Sequence, residues 1–254
     1  MHRTNKMKEK LRAGEPVFGV SVMIPSRKTV EMTGAAGFDW VLLDCEHGTL
    51  TLESVELMAM AAEACGITAI ARPMTRSPEH ILQVLDRGVM GVQVPHVNSA
   101  EDARQVVAAG KYHPLGQRGL AAGTRAAVYE SHGTLADHVK AANDATLIAI
   151  QLEEQAAIDN IDALLKVDDI DVFFIGPSDL SQSMGHPGNP KAPRVAQAID
   201  SSFLKMLAAK RTPGTPATAE NVRAVLDQGV RYIYTHLPRL LSGSAKAYLK
   251  AAKG

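Results

Sequence analysis

Two cysteines, Cys45 and Cys65, are all that 254 residues contain. That is too few for a disulfide framework and fits a reducing cytoplasm. Neither sign of charge is in excess: 27 Lys+Arg stand against 27 Asp+Glu, which argues against a dedicated binder of nucleic acid or anionic membranes. No uncharged apolar run approaches about 18 residues, so no membrane-spanning helix is expected. The opening stretch MHRTNKMKEKLRAGEP lacks the apolar core of a signal peptide. Low-complexity tracts and linkers are missing as well. These absences point to a cytoplasmic, soluble protein built as one domain over residues 1–254. Hydrophobic residues make up 46% and charged residues 21%, a globular composition with enough length to bury a sizeable core.

What is present is a rhythm. Short apolar, β-branched runs alternate with Ala-rich amphipathic ones. The expected strands are Val17–Ile24, Trp40–Asp44, Thr68–Arg72, Gly91–Pro95, Leu147–Gln151, Val172–Ile175 and Tyr232–Tyr234, with a weak one near Thr215–Ala217. They have the pattern of strands covered on both faces in a parallel sheet. The expected helices are Leu52–Cys65, Pro78–Asp86, Ala100–Ala109, Ala156–Leu165, Val195–Ala209, Ala219–Gln228 and Leu240–Ala252. Thr51, Ser77 and Ser99 are the N-cap candidates of the first three. About eight β/α units over this length favour a (β/α)8 TIM barrel. An open dinucleotide-binding sheet would want a G-x-G-x-x-G turn after the first strand, and Pro25-Ser26-Arg27 stands there instead. The segment from Gly110 to Asn143 breaks the rhythm and is expected to be a functional loop, either a lid or a subunit contact.

In such a barrel the chemistry sits where strands end. The second strand ends in Asp44-Cys45-Glu46-His47-Gly48, the third in Arg72-Pro73, the fifth in Gln151-Leu152-Glu153-Glu154 and the sixth in Gly176-Pro177-Ser178-Asp179. Glu153 and Asp179 come from neighbouring strands about 4.8 Å apart. Two carboxylates that close repel unless a proton or cation sits between them. Hard oxygen donors suit Mg²⁺ or Mn²⁺, with Co²⁺ also admissible. Spacing alone equally allows two solvated acids, or Asp179 as a helix cap. Arg72 suits a carboxylate or an oxyanion, or else an ion pair with a nearby acid. The Gly176-Pro177-Ser178 turn offers either N–H groups to an anion or an ordinary loop. His47 has the ring for moving protons, with Asp86 as a candidate partner, or a structural hydrogen bond. Cys45 reads better as a small buried residue than as a nucleophile. The remaining histidines, His2, His80, His96, His113, His132, His138, His186 and His236, fall mostly on polar stretches and read as surface or structural.

Taken in order, these residues resemble the HpcH/HpaI family of class II pyruvate aldolases. The likeness runs from about Gly14 to Tyr234. It rests on Gly37-Phe38-Asp39-Trp40 through Asp44-Cys45-Glu46-His47-Gly48, Ala71-Arg72-Pro73, Asp86-Arg87-Gly88, Val94-Pro95, Tyr112 through Gly119, Gln151-Leu152-Glu153 and Phe174 through Ser181. The resemblance implies a (β/α)8 barrel assembled as a homo-hexamer, a trimer of dimers that exchange the C-terminal helix. It implies a metal-dependent lyase that cleaves or forms 4-hydroxy-2-oxo acids from pyruvate or hydroxypyruvate and an aldehyde. Carried over by position, Glu153 and Asp179 bind the metal, and Gln151, Ser178, Asp179 and Arg72 touch the keto acid. Arg72 stabilises the transition state, His47 handles protons and Asp86 raises the basicity of His47. This sequence departs from the family pattern at Cys45, where a smaller residue is usual. It departs again at Thr235-His236-Leu237-Pro238-Arg239, which replaces a Gly/Asp-containing strand end. A CoA-ester lyase of the malyl- or citryl-CoA kind is the rival enzyme, though no basic cluster for the CoA phosphates is evident. A non-catalytic keto-acid-binding barrel is the rival from outside enzymology.

Overall fold

The structure, a computed structural model, describes residues 4–131 and 133–253. Eight parallel strands close into one barrel in sequence order: β1 (Val17–Val22), β2 (Trp40–Asp44), β3 (Thr68–Arg72), β4 (Gly91–Val94), β5 (Leu147–Leu152), β6 (Val172–Ile175), β7 (Pro213–Pro216) and β8 (Tyr232–His236), with β8 returning to β1. Helices link successive strands, so the (β/α)8 expectation holds. The caps hold too. Thr51, Ser77 and Ser99 each accept the N3 backbone N–H of their helix, from Ser54, His80 and Asp102. No helix among the described residues is long and apolar enough to cross a membrane.

Among the described residues, four α-helices have no counterpart in the expectations: Lys6–Arg12, Arg27–Ala35, Leu135–Ala145 and Pro177–Ser183. Their local patterns are short or weakly apolar, so tertiary packing rather than periodicity defines them. Lys6–Arg12 seals the end of the barrel where the strands begin. There the buried Lys8 reaches the carbonyl of Thr146 at 2.9 Å and Asp171 at 3.0 Å. The segment after Gly110 ends in the Leu135–Ala145 helix, with Thr134 as its cap. Before that helix it lies along the outer helices, where Arg118 bonds Asp86 and Arg125 bonds Glu63. These contacts are outside the barrel, which speaks against a lid and not against the subunit-contact alternative. Two of the histidines, His2 and His132, lie outside the described residues.

The side chains form two apolar sets. One packs the strands' outer faces against the helices. The other fills the barrel, where Trp40, Phe174, Tyr232 and Tyr234 pack against one another, Phe174 stacked on Tyr234. Trp40 lies directly over Gly19, and a Cβ at that position would overlap the indole. Glycine in β1 is therefore what admits the barrel's largest side chain. Reading inward positions along each strand, apolar residues give way to a polar one: Trp40, Leu42, Asp44 on β2; Ile70, Arg72 on β3; Leu147, Ala149, Gln151 on β5; Tyr232, Tyr234, His236 on β8. The two-residue period of a strand carries this order up the inner wall. An aromatic floor thus lies beneath a polar rim at the carboxyl ends of the strands.

Candidate active site at the barrel mouth

Asp44, fully buried at the end of β2, organises one side of the rim. Its Oδ1 accepts from Arg72 Nε at 2.9 Å and from the backbone N–H groups of Glu46 and His47 at 3.1 Å each. Arg72 Nη2 donates to the other oxygen, which completes a fork. Burial works against the Arg72 charge, but the bonds to Asp44 and the nearby acids outweigh it and hold the guanidinium above the ordinary arginine range. Glu46 Oε2 stands 3.2 Å from Arg72 Nε. The ion-pair alternative raised for Arg72 is therefore real, and it is what fixes the arginine in place. The same hydrogen bonds wrap the loop after β2 around Asp44 and set His47 on the rim. Its ring is more than half exposed, 3.8 Å from Glu46 Oε2.

The second side of the rim is acidic. Glu153 follows β5 and is buried. Its Oε1 accepts the His96 backbone N–H at 2.9 Å, and its Oε2 accepts from the Gln151 amide. Gln151 in turn accepts from Gln93 at 2.5 Å, so two interior amides steady this carboxylate from below. Gly176 matters here. A Cβ at that position would come within 3.0 Å of Glu153 Oε2, so glycine lets the next strand end close against the acid. Burial raises the Glu153 pKa, and the hydrogen bonds from Gln151 and His96 oppose this without cancelling it.

His96 lies in the middle of this acidic side. Its Nε2 is 3.2 Å from Glu46 Oε1, and its Nδ1 is 2.9 Å from Glu154 Oε1 and 3.4 Å from Glu153 Oε1. Partial burial works against its charge, but Glu153, Glu154 and Glu46 outweigh that and raise its pKa. Its backbone adopts φ of +55°, unusual outside glycine and a mark of local strain. Glu46, His96 and Glu153 bring ligand atoms within 4.8 Å of one another. Two carboxylates and an imidazole this close fit a divalent cation.

The geometry corrects several sequence expectations. His96 is exposed, as expected, but both it and the half-buried His236 stand at the barrel mouth, and His96 belongs to the acidic cluster. Asking what the fourth and eighth strands deliver would have found both, since Pro95-His96 and Thr235-His236 follow apolar runs as Arg72-Pro73 does. Asp179 is not a helix cap. Gly176 occupies that position, and Asp179 sits exposed in the first turn of Pro177–Ser183, outside the Glu46–His96–Glu153 group. Ser178 is exposed beside it, and Pro177, which lacks an N–H, weakens the anion-turn reading. Gln151 spends its amide on Gln93 and Glu153.

The His47–Asp86 pair does not form within the chain. Asp86 ends the helix that runs back from β3, so it lies toward the opposite end of the barrel from the loop after β2. There Arg118 holds it at 2.8 Å. For Cys45, burial foremost and the neighbouring Asp44 charge push the thiol up to about 12. That removes the thiolate a nucleophile needs near neutral pH.

Known proteins resemble this chain across most of its length. The 4-hydroxy-2-oxo-heptane-1,7-dioate aldolase of Salmonella dublin is 36% identical over 210 residues, which are 83% of this chain and 79% of the relative. A HpcH/HpaI aldolase/citrate lyase family protein from Burkholderia cenocepacia superposes with a TM-score of 0.92 at 26% identity, over 99% of this chain and 100% of that one. The citrate synthase SbnG superposes with a TM-score of 0.85 at 27% identity, over 97% and 98%. The profile of one family, described as HpcH/HpaI aldolase/citrate lyase, matches residues 20–232. With the barrel, the rim and the relatives in agreement, this chain belongs to the HpcH/HpaI aldolase/citrate lyase family and is a carbon–carbon lyase of the aldolase type.

Proposed function

We propose that the chain is a divalent-metal-dependent aldolase that reversibly cleaves a 4-hydroxy-2-oxo acid into pyruvate, or hydroxypyruvate, and an aldehyde. The observation that carries the reading is Arg72. It is a buried guanidinium locked to Asp44 at the barrel mouth, next to the Glu46–His96–Glu153 cluster. In this reading Glu153 and Asp179 hold Mg²⁺ or Mn²⁺, with Glu46 and His96 beside them. Ser178 and Gln151 line the keto-acid side. When bound, the ion orients the keto and carboxylate oxygens of the substrate and polarises the carbonyl.

The chain's own groups do the rest. In cleavage His47 takes the C4 hydroxyl proton, the C3–C4 bond breaks, and its electron pair moves into an enolate whose charge falls on the C2 oxygen. Asp44 engages two of the five N–H donors of Arg72, which leaves three to face that oxygen. The enolate C3 then takes up a proton to give pyruvate, and addition runs the same steps in reverse.

The curated relatives' name supplies a first substrate. Splitting 4-hydroxy-2-oxoheptane-1,7-dioate between C3 and C4 gives pyruvate and a four-carbon aldehyde acid. A lactate dehydrogenase assay is expected to report pyruvate release from this compound, well above the rate without enzyme. No release from it or from other 4-hydroxy-2-oxo acids would reject the reading. The likeness to a citrate synthase favours a second reading, a CoA-ester lyase, since both chemistries generate an enolate. Acetyl-CoA release from malyl-CoA would select that alternative.

The last helix supports an assembly. Leu237–Lys253 buries none of its residues. Leu241 is 70% exposed and Tyr248 75%, on a helix with charged residues opposite. Beside it an apolar groove, lined by Phe18, Phe38, Val222 and Ile233, runs along the outer faces of β1 and β8. An exposed apolar stripe and an uncovered groove are the two halves of an exchanged contact. In this reading the helix crosses into a partner subunit, and three such dimers build the hexamer. Any action of Asp86 on His47 then requires a neighbouring subunit's copy. Light scattering is expected to show an oligomer that Leu241→Asp with Leu249→Asp breaks down. A monomeric wild type, or a doubly substituted chain of unchanged mass, would reject the exchange.

A further inference from the structure

The inner face of β8 carries three rings in succession. Tyr232 and Tyr234 belong to the barrel floor, and His236 continues the same face two residues on, at the mouth. Its ring stands edge-on to Tyr234 with centroids 5.4 Å apart, and its backbone pairs in register with Ser21 of β1. Thr235, of opposite parity, turns to the outer groove. Strand alternation therefore aims the imidazole into the mouth and not at a helix. Burial foremost, then the charges of Arg239 and Arg72, hold its pKa below the usual histidine value, His47 adds to this, and Asp44 pulls the other way. The ring is thus neutral near neutral pH, with one nitrogen to donate and one to accept.

The opposite rim is already allotted. Glu153 follows β5, three strands from β8 around the ring. Glu46 and His96 lean towards it. A keto acid held on that side leaves the β8–β1–β2 side for the aldehyde half of the substrate. That is the stretch where this sequence carries an imidazole in place of the Gly/Asp-containing ending that its family resemblance led us to expect.

We propose that His236 is a substrate-contacting residue on the acceptor side, where its ring hydrogen-bonds the aldehyde oxygen that becomes the C4 hydroxyl and orients it towards His47. This deepens the aldolase reading and rests on it. A merely structural role, with the ring packing on Tyr234, would make the whole site looser and affect every step.

Two readouts separate these roles. Exchange of pyruvate methyl protons with D₂O, followed by NMR without aldehyde, reports the donor half alone. Cleavage of 4-hydroxy-2-oxoheptane-1,7-dioate, followed as pyruvate, reports both halves. His236→Phe keeps a ring on Tyr234 and removes the hydrogen bond. It is expected to lower kcat/KM for cleavage about tenfold or more while leaving proton exchange within about twofold of wild type. His236→Gln, which restores a donor and an acceptor, is expected to recover much of the loss. Equal losses in both assays, or none in either, would overturn the assignment. A wild-type enzyme that neither exchanges pyruvate protons nor cleaves the substrate would overturn the aldolase reading and this inference with it. Normal exchange and cleavage in wild type, with cleavage intact in His236→Phe, would overturn this inference alone.

Discussion

Replacing Arg72 by alanine is expected to lower kcat for aldol cleavage at least about a hundredfold, the loss of a donor aimed at developing oxyanion charge. The structure adds a second consequence that the sequence did not suggest. Asp44 is fully buried, and Arg72 is its only side-chain partner among the hydrogen bonds described. Removing one member of a buried ion pair typically costs about 3–5 kcal/mol, because the other charge stays buried without compensation. The loop after β2 also depends on Asp44, which accepts the N–H groups of Glu46 and His47. Arg72→Ala is therefore expected to melt at a lower temperature and to misplace His47, so its turnover alone is ambiguous. Arg72→Lys resolves the ambiguity. A lysine keeps the positive charge near Asp44 but not the planar fork. Its melting temperature is expected to lie closer to wild type while kcat stays low. Wild-type turnover in either folded variant would remove Arg72 from the transition state. Recovery of both stability and turnover by lysine would reduce the guanidinium to a simple counter-charge.

Much of the fold is legible because barrel strands must be apolar on both faces. All seven firmly expected strands coincide with the observed ones to within two residues, since runs such as Trp-Val-Leu-Leu-Asp in β2 leave little latitude. Strand β7 was the hard one. Pro213-Gly-Thr-Pro216 has two residues without an N–H and almost no apolar content. Only barrel closure makes it a strand, and closure is a property of the whole sheet. The rim residues were legible by the same reasoning as the strands, a polar side chain just after an apolar run. Partnership was not. Nothing in the sequence says that Arg72 spends its fork on Asp44, that Gln93 and Gln151 support Glu153, or that Asp86 faces Arg118. Those depend on which side chains meet across strands and on the direction in which each helix returns. Within one chain the His47–Asp86 pair does not form for that reason. A residue at the end of a barrel helix is close in sequence to the rim but near the other end of the barrel in space.

Dialysis against EDTA is expected to reduce cleavage to background, and added Mg²⁺ or Mn²⁺ to restore it, with Co²⁺ as a further replacement. The argument is electrostatic. Glu46 and Glu153 crowd together with His96 at the rim, and burial and the Glu46 charge raise the Glu153 pKa. Such a cluster is costly unless a proton or a cation neutralises it. Activity alone does not say which side chains hold the ion, so Mn²⁺ affinity measured by calorimetry is the sharper test. Glu153→Gln removes the carboxylate common to every arrangement and is expected to weaken Mn²⁺ at least about a hundredfold. Asp179→Asn is expected to do the same. His96→Ala, a neighbour in this assignment and not a ligand, is expected to cost about tenfold, within the range seen for supporting groups around a metal. The converse pattern, with His96→Ala losing Mn²⁺ and Asp179→Asn keeping it, would move the site onto Glu46, His96 and Glu153. Full activity in chelator, with no Mn²⁺ binding in the wild type, would exclude both sites and leave enolate stabilisation to Arg72 alone.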